Sequence, residues 1–522
     1  MQTFPEEIQK LISEHRKYEE EHRPPAEDGA EKIHVDEIAS KVATFYDKFR
    51  NLIQYHEAHL LRKDTIERIL RRRVFLRTSD GKFAEAFIKD LIRSGHLPND
   101  SVPEKKIADA QIILDNLIYF LDHGDFANQG EEQRMYDWLI RVFVPLLEEE
   151  LFPPPQNRLV GEMMYQIIRN RLVLKNGIID DNSASTQLFI ATQRALFRLD
   201  NDQLRYTLLR FTHPQWGKMS GYELEKIVPA LGSLKANVEN VLKNPLGRYF
   251  LKLCRKEKVA FQLAGDLVFK DVPLDGDYEP MLRTLYEERS DKIAQQLKKL
   301  AFFSVVSFLI SKVAVALAIE IPIDQALSWP FSPTSMAINV LFPPLLMLVI
   351  LAFMRPPSAK NFDLVAQEVK NILSPDNQRK YMLKIPAKIS VASKFAVYVG
   401  YIVVLAAIFY GIIRSLQVLQ FSPFSIAIFI LFTSMVVATC VKINNRAKEM
   451  SLEKERATAF GFLADLVLVP FTALGRWIIS ALARFNVVVI LFDFLIELPL
   501  SLFLEFLENL RNFIRAKKEE IQ

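Results

Sequence analysis

Lys312 stands near the middle of a long apolar stretch, where a charge has no water to solvate it. An ammonium at the centre of hydrocarbon costs ~2.5–3.5 kcal/mol on insertion scales and more by other measures. It therefore needs a carboxylate, a proton or substrate path, or a route for snorkelling to headgroups. Glu320 lies two turns further on, on roughly the same helical face but nearer the end of the stretch. Three more acids, Asp465, Asp493 and Glu497, fall in the apolar C-terminal region. One candidate arrangement is an ion pair between Lys312 and Asp465 or Asp493; the plainer reading is a lysine snorkelling to headgroups or facing a bundle interior. The same three acids, met by basic residues of 354–394, are also where a membrane-embedded enzyme would assemble its site.

Two further groups have suggestive spacing. His56 and His59 are three apart on one helical face and could share a metal, although His-Glu-Ala-His lacks the four-residue step of the zinc-protease pattern. A polar patch in a helix seam is the plainer reading. Arg71, Arg72 and Arg73, with Arg62, Lys63 and Arg68 upstream, form a basic run that suits anionic headgroups, acidic partners or a solvated helix face. Stacking aromatics are not interleaved with it and the net charge is only +4, so nucleic acid is not an expected partner. The chain has no Walker loop, dinucleotide fingerprint, nucleophile elbow or paired cysteine ligands. Its two cysteines, Cys254 and Cys440, are too far apart in sequence to suggest a metal site or a disulfide framework. No cofactor is expected, and nothing here specifies a reaction.

The elements around these residues read as all-α. Half of the 522 residues are hydrophobic and a quarter are charged, with a mean hydropathy of +0.09, which fits one very apolar part joined to one highly charged part. Residues 1–33 form a charged, flexible lead-in without the apolar core of a signal peptide. Residues 34–295 read as a cytoplasmic helical domain. Its first helix carries a heptad seam, Val35, Ile38, Val42, Phe45, Phe49 and Leu52, which continues into His56, His59 and Lys63. Ser101 with Glu104, and Ser220 with Glu223, have capping-box spacing. Leu267-Val268-Phe269 is the best strand candidate, too short to anchor a sheet.

Four stretches are long and apolar enough to span: 301–320, 335–353, 395–413 and 424–441, all within 300–442. Two begin with Ser-Pro, at Ser332-Pro333 and Ser422-Pro423, the order that suits a cap and a first helical residue. Pro343-Pro344 should kink or widen the second. Ser304, Ser307, Ser311, Ala314 and Ala318 make a small-residue side on the first, suited to close helix approach. Lysine and arginine collect before the first span, in the 354–394 loop and after the fourth. The segment 321–334 has none and 414–423 only Arg414. That alternation places both termini and the 354–394 loop in the cytoplasm. Residues 457–522 read as amphipathic helices, either interfacial or packed on the membrane bundle, because Asp493, Glu497, Ser501, Glu505, Glu508 and Asn512 recur at steps of four and three.

The expected protein is thus multi-pass, in the cell or inner membrane. The leading function is a membrane-anchored interaction or scaffold protein, with the lipid bilayer and other proteins as partners and a homo-oligomer compatible with it. An oligomeric transporter or channel comes second. The position of Lys312 separates them: a water-filled surround favours transport, a packed acid favours structure.

Overall fold

The computed structural model describes residues 4–21, 33, 58–75, 83–94, 96–97, 102–124, 128–152, 157–174, 179–197, 199–274, 276–327, 329, 332–352, 359–374, 379–383, 385, 390–452 and 459–484. Nearly every element among them is a helix, and the chain divides into two compact units.

The first unit comprises residues 5–258 with 378–383. Its helices are α1 (Glu6–Glu21), α2 (Ala58–Phe75), α3 (Phe83–Arg93), α4 (Lys105–His123), α5 (Gln129–Leu151), α6 (Asn157–Asn170), α7 (Asp181–Phe197), α8 (Asn201–Thr212), α9 (Gly221–Ile227), α10 (Leu231–Lys243) and most of α11 (Gly247–Phe269). Helical periodicity explains the core. In α3 the residues Phe83, Phe87, Ile88, Leu91 and Ile92 recur at helical spacing and are all buried. The long α5 lies against α2, α4 and α8. Phe120 stacks on Trp216 at 5.4 Å, and Phe143 fits edge-on to Phe120. Inside this core Asn116 Oδ1 accepts from the Met219 amide at 2.9 Å, fixing the approach to α9.

Caps set the helix starts. Ser220 and Glu223 form the expected capping box, and Asp200 with Gln203 forms a second one that opens α8. Ser101 lies outside the described residues; Glu104 precedes α4 without a side-chain cap bond. The strand expectation is overturned: Leu267-Val268-Phe269 closes α11, because Phe261, Leu263, Ala264, Leu267 and Val268 are buried at helical spacing. Extended pairing occurs instead between β1 (Leu172–Val173) and β2 (Tyr381–Met382), a two-residue parallel ribbon.

The second unit comprises residues 259–377 with 384–492. Its helices are α12 (Glu279–Val315), α13 (Ile321–Ala326), α14 (Pro333–Ala352), α15 (Ala359–Leu373), α16 (Val391–Val418), α17 (Pro423–Ala447) and α18 (Ala459–Arg484). Four helical runs are long and apolar enough to cross a membrane: Glu279–Ala326, Pro333–Ala352, Tyr398–Val418 and Pro423–Ala447. They coincide with the four stretches read from the sequence. The first is the apolar end of a 48-residue run, about 72 Å long at 1.5 Å per residue. Both Ser-Pro starts hold, and the Ser422 hydroxyl caps the Ser425 amide at 3.0 Å. α14 continues through the buried Pro343-Pro344 pair.

α12, α14 and α17 pack on one another, while α16 meets α18 lightly and is mostly exposed. α18 lies along α17 at close range. A Cβ added to Gly475 would stand 2.0 Å from the Ser434 carbonyl oxygen, so only glycine permits this approach. Ser307, Ser311, Ala314 and Ala318 are exposed among the described residues. Beyond the apolar spans, buried Asn361 ties three segments together. Its Nδ2 donates to Tyr286 Oη at 2.7 Å and to the Met450 carbonyl at 2.6 Å, and its Oδ1 accepts from the Leu452 amide at 2.6 Å.

Candidate functional site: a buried ion pair among three spans

Lys312 on α12 is fully buried, and the acid it meets is Glu320. The two are eight residues apart. At about 100° per residue that leaves an offset of about 80° on an ideal α-helix. The segment Ala316–Glu320 is a π-turn, with the Ile321 amide bonded five residues back to the Ala316 carbonyl. A turn of this kind holds roughly 4.4 residues, and four such wider steps reduce the offset to about 10°. The cause is local: Pro322 has no N–H and its ring crowds the carbonyl four residues back, so the preceding turn widens. The remaining axial gap, about 12 Å between backbones, is closed by two long side chains extending toward each other.

The second carboxylate oxygen of Glu320 accepts from Asn339 Nδ2 of α14 at 2.6 Å. The Lys312 ammonium also lies over the Phe432 ring of α17, 5.1 Å from its centroid. The cluster thus draws on all three packed spans. Pro343 stands four residues after Asn339, so the Asn339 carbonyl has no helical donor. Among the described residues, Asn339 Oδ1 and the Thr433 hydroxyl are buried without hydrogen-bond partners. A second polar contact joins the same elements: Asp324 accepts from Ser422 Oγ at 2.8 Å and from Ser425 Oγ at 3.4 Å. Ser335 Oγ of α14 donates to the Leu419 carbonyl at 2.6 Å.

Chemically, this arrangement neutralises a charge and fixes the register of three helices. The partner described for Lys312 is Glu320, within its own helical run. Asp465 falls in α18, where its side chain is outside the described residues, as are Asp493 and Glu497. His56 is likewise outside them, as is the seam from Val35 to Leu52. His59 lies in α2 with its side chain undescribed. The seam's last polar position, Lys63, is described and buried. It is paired with Asp200 and donates to Asp202 at 2.7 Å. Burial would lower the Lys63 pKa, but the bonds and charges of the two aspartates outweigh it and raise the value. Burial likewise works to raise Asp200, and the Gln203 amide and Lys63 hold it below the usual range.

The three arginines are each engaged within their own unit. Arg71 binds Glu67 at 2.8 Å and Asp137 at 2.6 Å, while Arg72 and Arg73 reach Asp90 at 2.9 and 2.5 Å. A headgroup would have to compete with those carboxylates. Cys254 is inert: burial and then Glu257 push its thiol far above the ordinary value. Sequence reading also missed a groove of about 640 Å³ on the second unit, between the start of α12 and α15, with Asp277, Glu279, Asp363 and Lys370 on its walls. Its residues come from separate segments and share no motif.

No protein family, curated protein or solved structure matches this chain.

Proposed function

We propose that this chain is a multi-pass membrane protein acting as an anchored scaffold, holding its large helical region at the cytoplasmic face for contacts with other proteins. The observation that carries this reading is the surround of Lys312: complete burial, with its ammonium on Glu320, a carboxylate also held by Asn339, and over the Phe432 ring. An ammonium packed in this way welds helices together; one that serves a transport route faces water. The alternation of lysine and arginine between the spans supports the cytoplasmic assignment of both termini and of the 354–394 loop.

Transport remains the second reading, on three specific observations: the π-turn, the Asn339 carbonyl deprived of its i+4 donor by Pro343, and, among the described residues, the unpartnered Asn339 Oδ1 and Thr433 hydroxyl. Purified protein in liposomes separates the two. The scaffold reading expects no proton or cation flux above that of protein-free vesicles. Flux that disappears in Glu320→Gln would replace it with transport.

A further inference from the structure

α18 has two faces. Phe471, Gly475 and Ile478 are buried: Gly475 lies against Ser434 of α17, and the Phe471 ring stacks on Phe409 of α16 at 5.3 Å. On the opposite side Val469, Ala473, Arg476 and Ser480 recur at steps of four, three and four, and all are exposed. That is the spacing of a helix-packing seam, with small residues on either side of the one charge. Trp477 extends the surface and is 63% exposed.

The Gly475–Ser434 contact fixes how deep this face lies. Ser434 is near the middle of the 25-residue α17. If α17 crosses the bilayer, Arg476 lies near mid-depth, with headgroups about 15 Å away on either side, half of a core about 30 Å thick. A snorkelling guanidinium extends along its own stem and does not cover that distance. Among the described residues no carboxylate meets Arg476. Its Nε donates to the Thr472 carbonyl of its own helix at 3.3 Å.

We propose that Arg476 marks a docking face for a membrane helix of another protein, one that carries a carboxylate at mid-depth. This deepens the scaffold reading and rests on it, since it names the kind of partner the scaffold holds. Charge complementarity chooses the occupant. A lipid phosphate is too far away. Among the described side chains the intramembrane acids, Glu320 and Asp324, are engaged by Lys312, Ser422 and Ser425, so a second copy does not offer these two, and self-association is an outcome of the test. A carboxylate delivered by a partner helix would give the guanidinium a paired, hydrogen-bonded counter-charge, and Ala473 and Ser480 leave room for that helix to approach.

The test uses full-length protein, fluorescently labelled, in vesicles of zwitterionic lipid. The probe is a synthetic leucine-rich membrane helix with one central Asp, compared with the same helix carrying Leu there. The Asp helix is expected to associate about 10-fold more tightly than the Leu helix with the wild type. Arg476→Leu should abolish that preference and Arg476→Lys should keep most of it. Arg476→Gln serves in place of the Leu variant if the latter does not fold. Equal association of the two helices overturns the proposal, and so does a preference that survives Arg476→Leu or Arg476→Gln. Self-association of the wild type that is lost in Arg476→Leu also overturns it, by giving the face to a second copy. Solute flux in the same vesicles would sink the scaffold reading without altering the helix titration, so the two failures are distinguishable.

Discussion

Removing Lys312 should cost far more than removing Lys312 and Glu320 together. In Lys312→Met the Glu320 carboxylate stays buried, with Asn339 Nδ2 as its remaining donor. Breaking one side of a buried pair typically costs ~3–5 kcal/mol, because a charge is left uncompensated in a medium that cannot solvate it. Glu320→Gln leaves the ammonium with the Phe432 face, and a desolvated contact of that kind returns about 2 kcal/mol, so this variant should be the milder single. In Lys312→Met/Glu320→Met no charge is left behind. The residual loss is the unsatisfied Asn339 amide, about 1–3 kcal/mol. The double variant should therefore lose about 1–3 kcal/mol, less than Lys312→Met alone, and the swap Lys312→Glu/Glu320→Lys should recover part of what either reversal loses. Reversible unfolding in mixed micelles, followed by the helical circular dichroism signal, measures all of these. Additive losses in the double variant, about 6 kcal/mol or more, would mean that the residues do not act as a pair, and the account of the site would fail.

Gly475→Val should force α17 and α18 apart, since even a Cβ would collide with the Ser434 carbonyl; a loss of at least about 2 kcal/mol in the same assay is expected. Asn361→Ala removes three hydrogen bonds at once and should cost about 3 kcal/mol, with faster proteolysis near Met450 as its signature. In acid the first unit should loosen. Burial works to raise Glu150, but Lys106 and Lys218 hold it below its ordinary 4.5, and Asp200 is held below its ordinary 3.8. A depressed carboxylate contributes stability that is present above its unfolded value and lost as pH falls through the folded one. The transition, read by fluorescence of Trp138 and Trp216 with Trp329 and Trp477 replaced by Phe, should thus begin below about 4.5 and move upward in Lys106→Met/Lys218→Met. Cys254 should resist maleimide at pH 8 in the native protein and react once the chain is unfolded.

The four long apolar helices were legible because long apolar runs and Ser-Pro starts are local signals that need no knowledge of neighbours. The partner of Lys312 was harder to read. Its sequence cue, Pro322, was present, but the rotation it produces depends on the π-turn it induces. The same contrast recurs in the first unit. The box at Ser220 was read from spacing, whereas the box of Asp200 and Gln203, at the same spacing but with Asp and Gln in place of Ser and Glu, was not named from the sequence. Lys63 could be recognised as polar in an apolar seam, yet its partners lie 137 and 139 residues away, where periodicity carries no information. For Arg71 to Arg73 the run was visible and its use was not, because Asp90 and Asp137 arrive from other helices.

From Met281 to Ile321 the chain contains neither glycine nor proline. The run that begins at Glu279 therefore behaves as a stiff shaft with no joint before the widened turn at Ala316–Glu320. A torque applied at its outer end would pass down the shaft undiminished and first find compliance beside Lys312. Whatever grips this protein from the aqueous side thus has a mechanical line to the salt bridge.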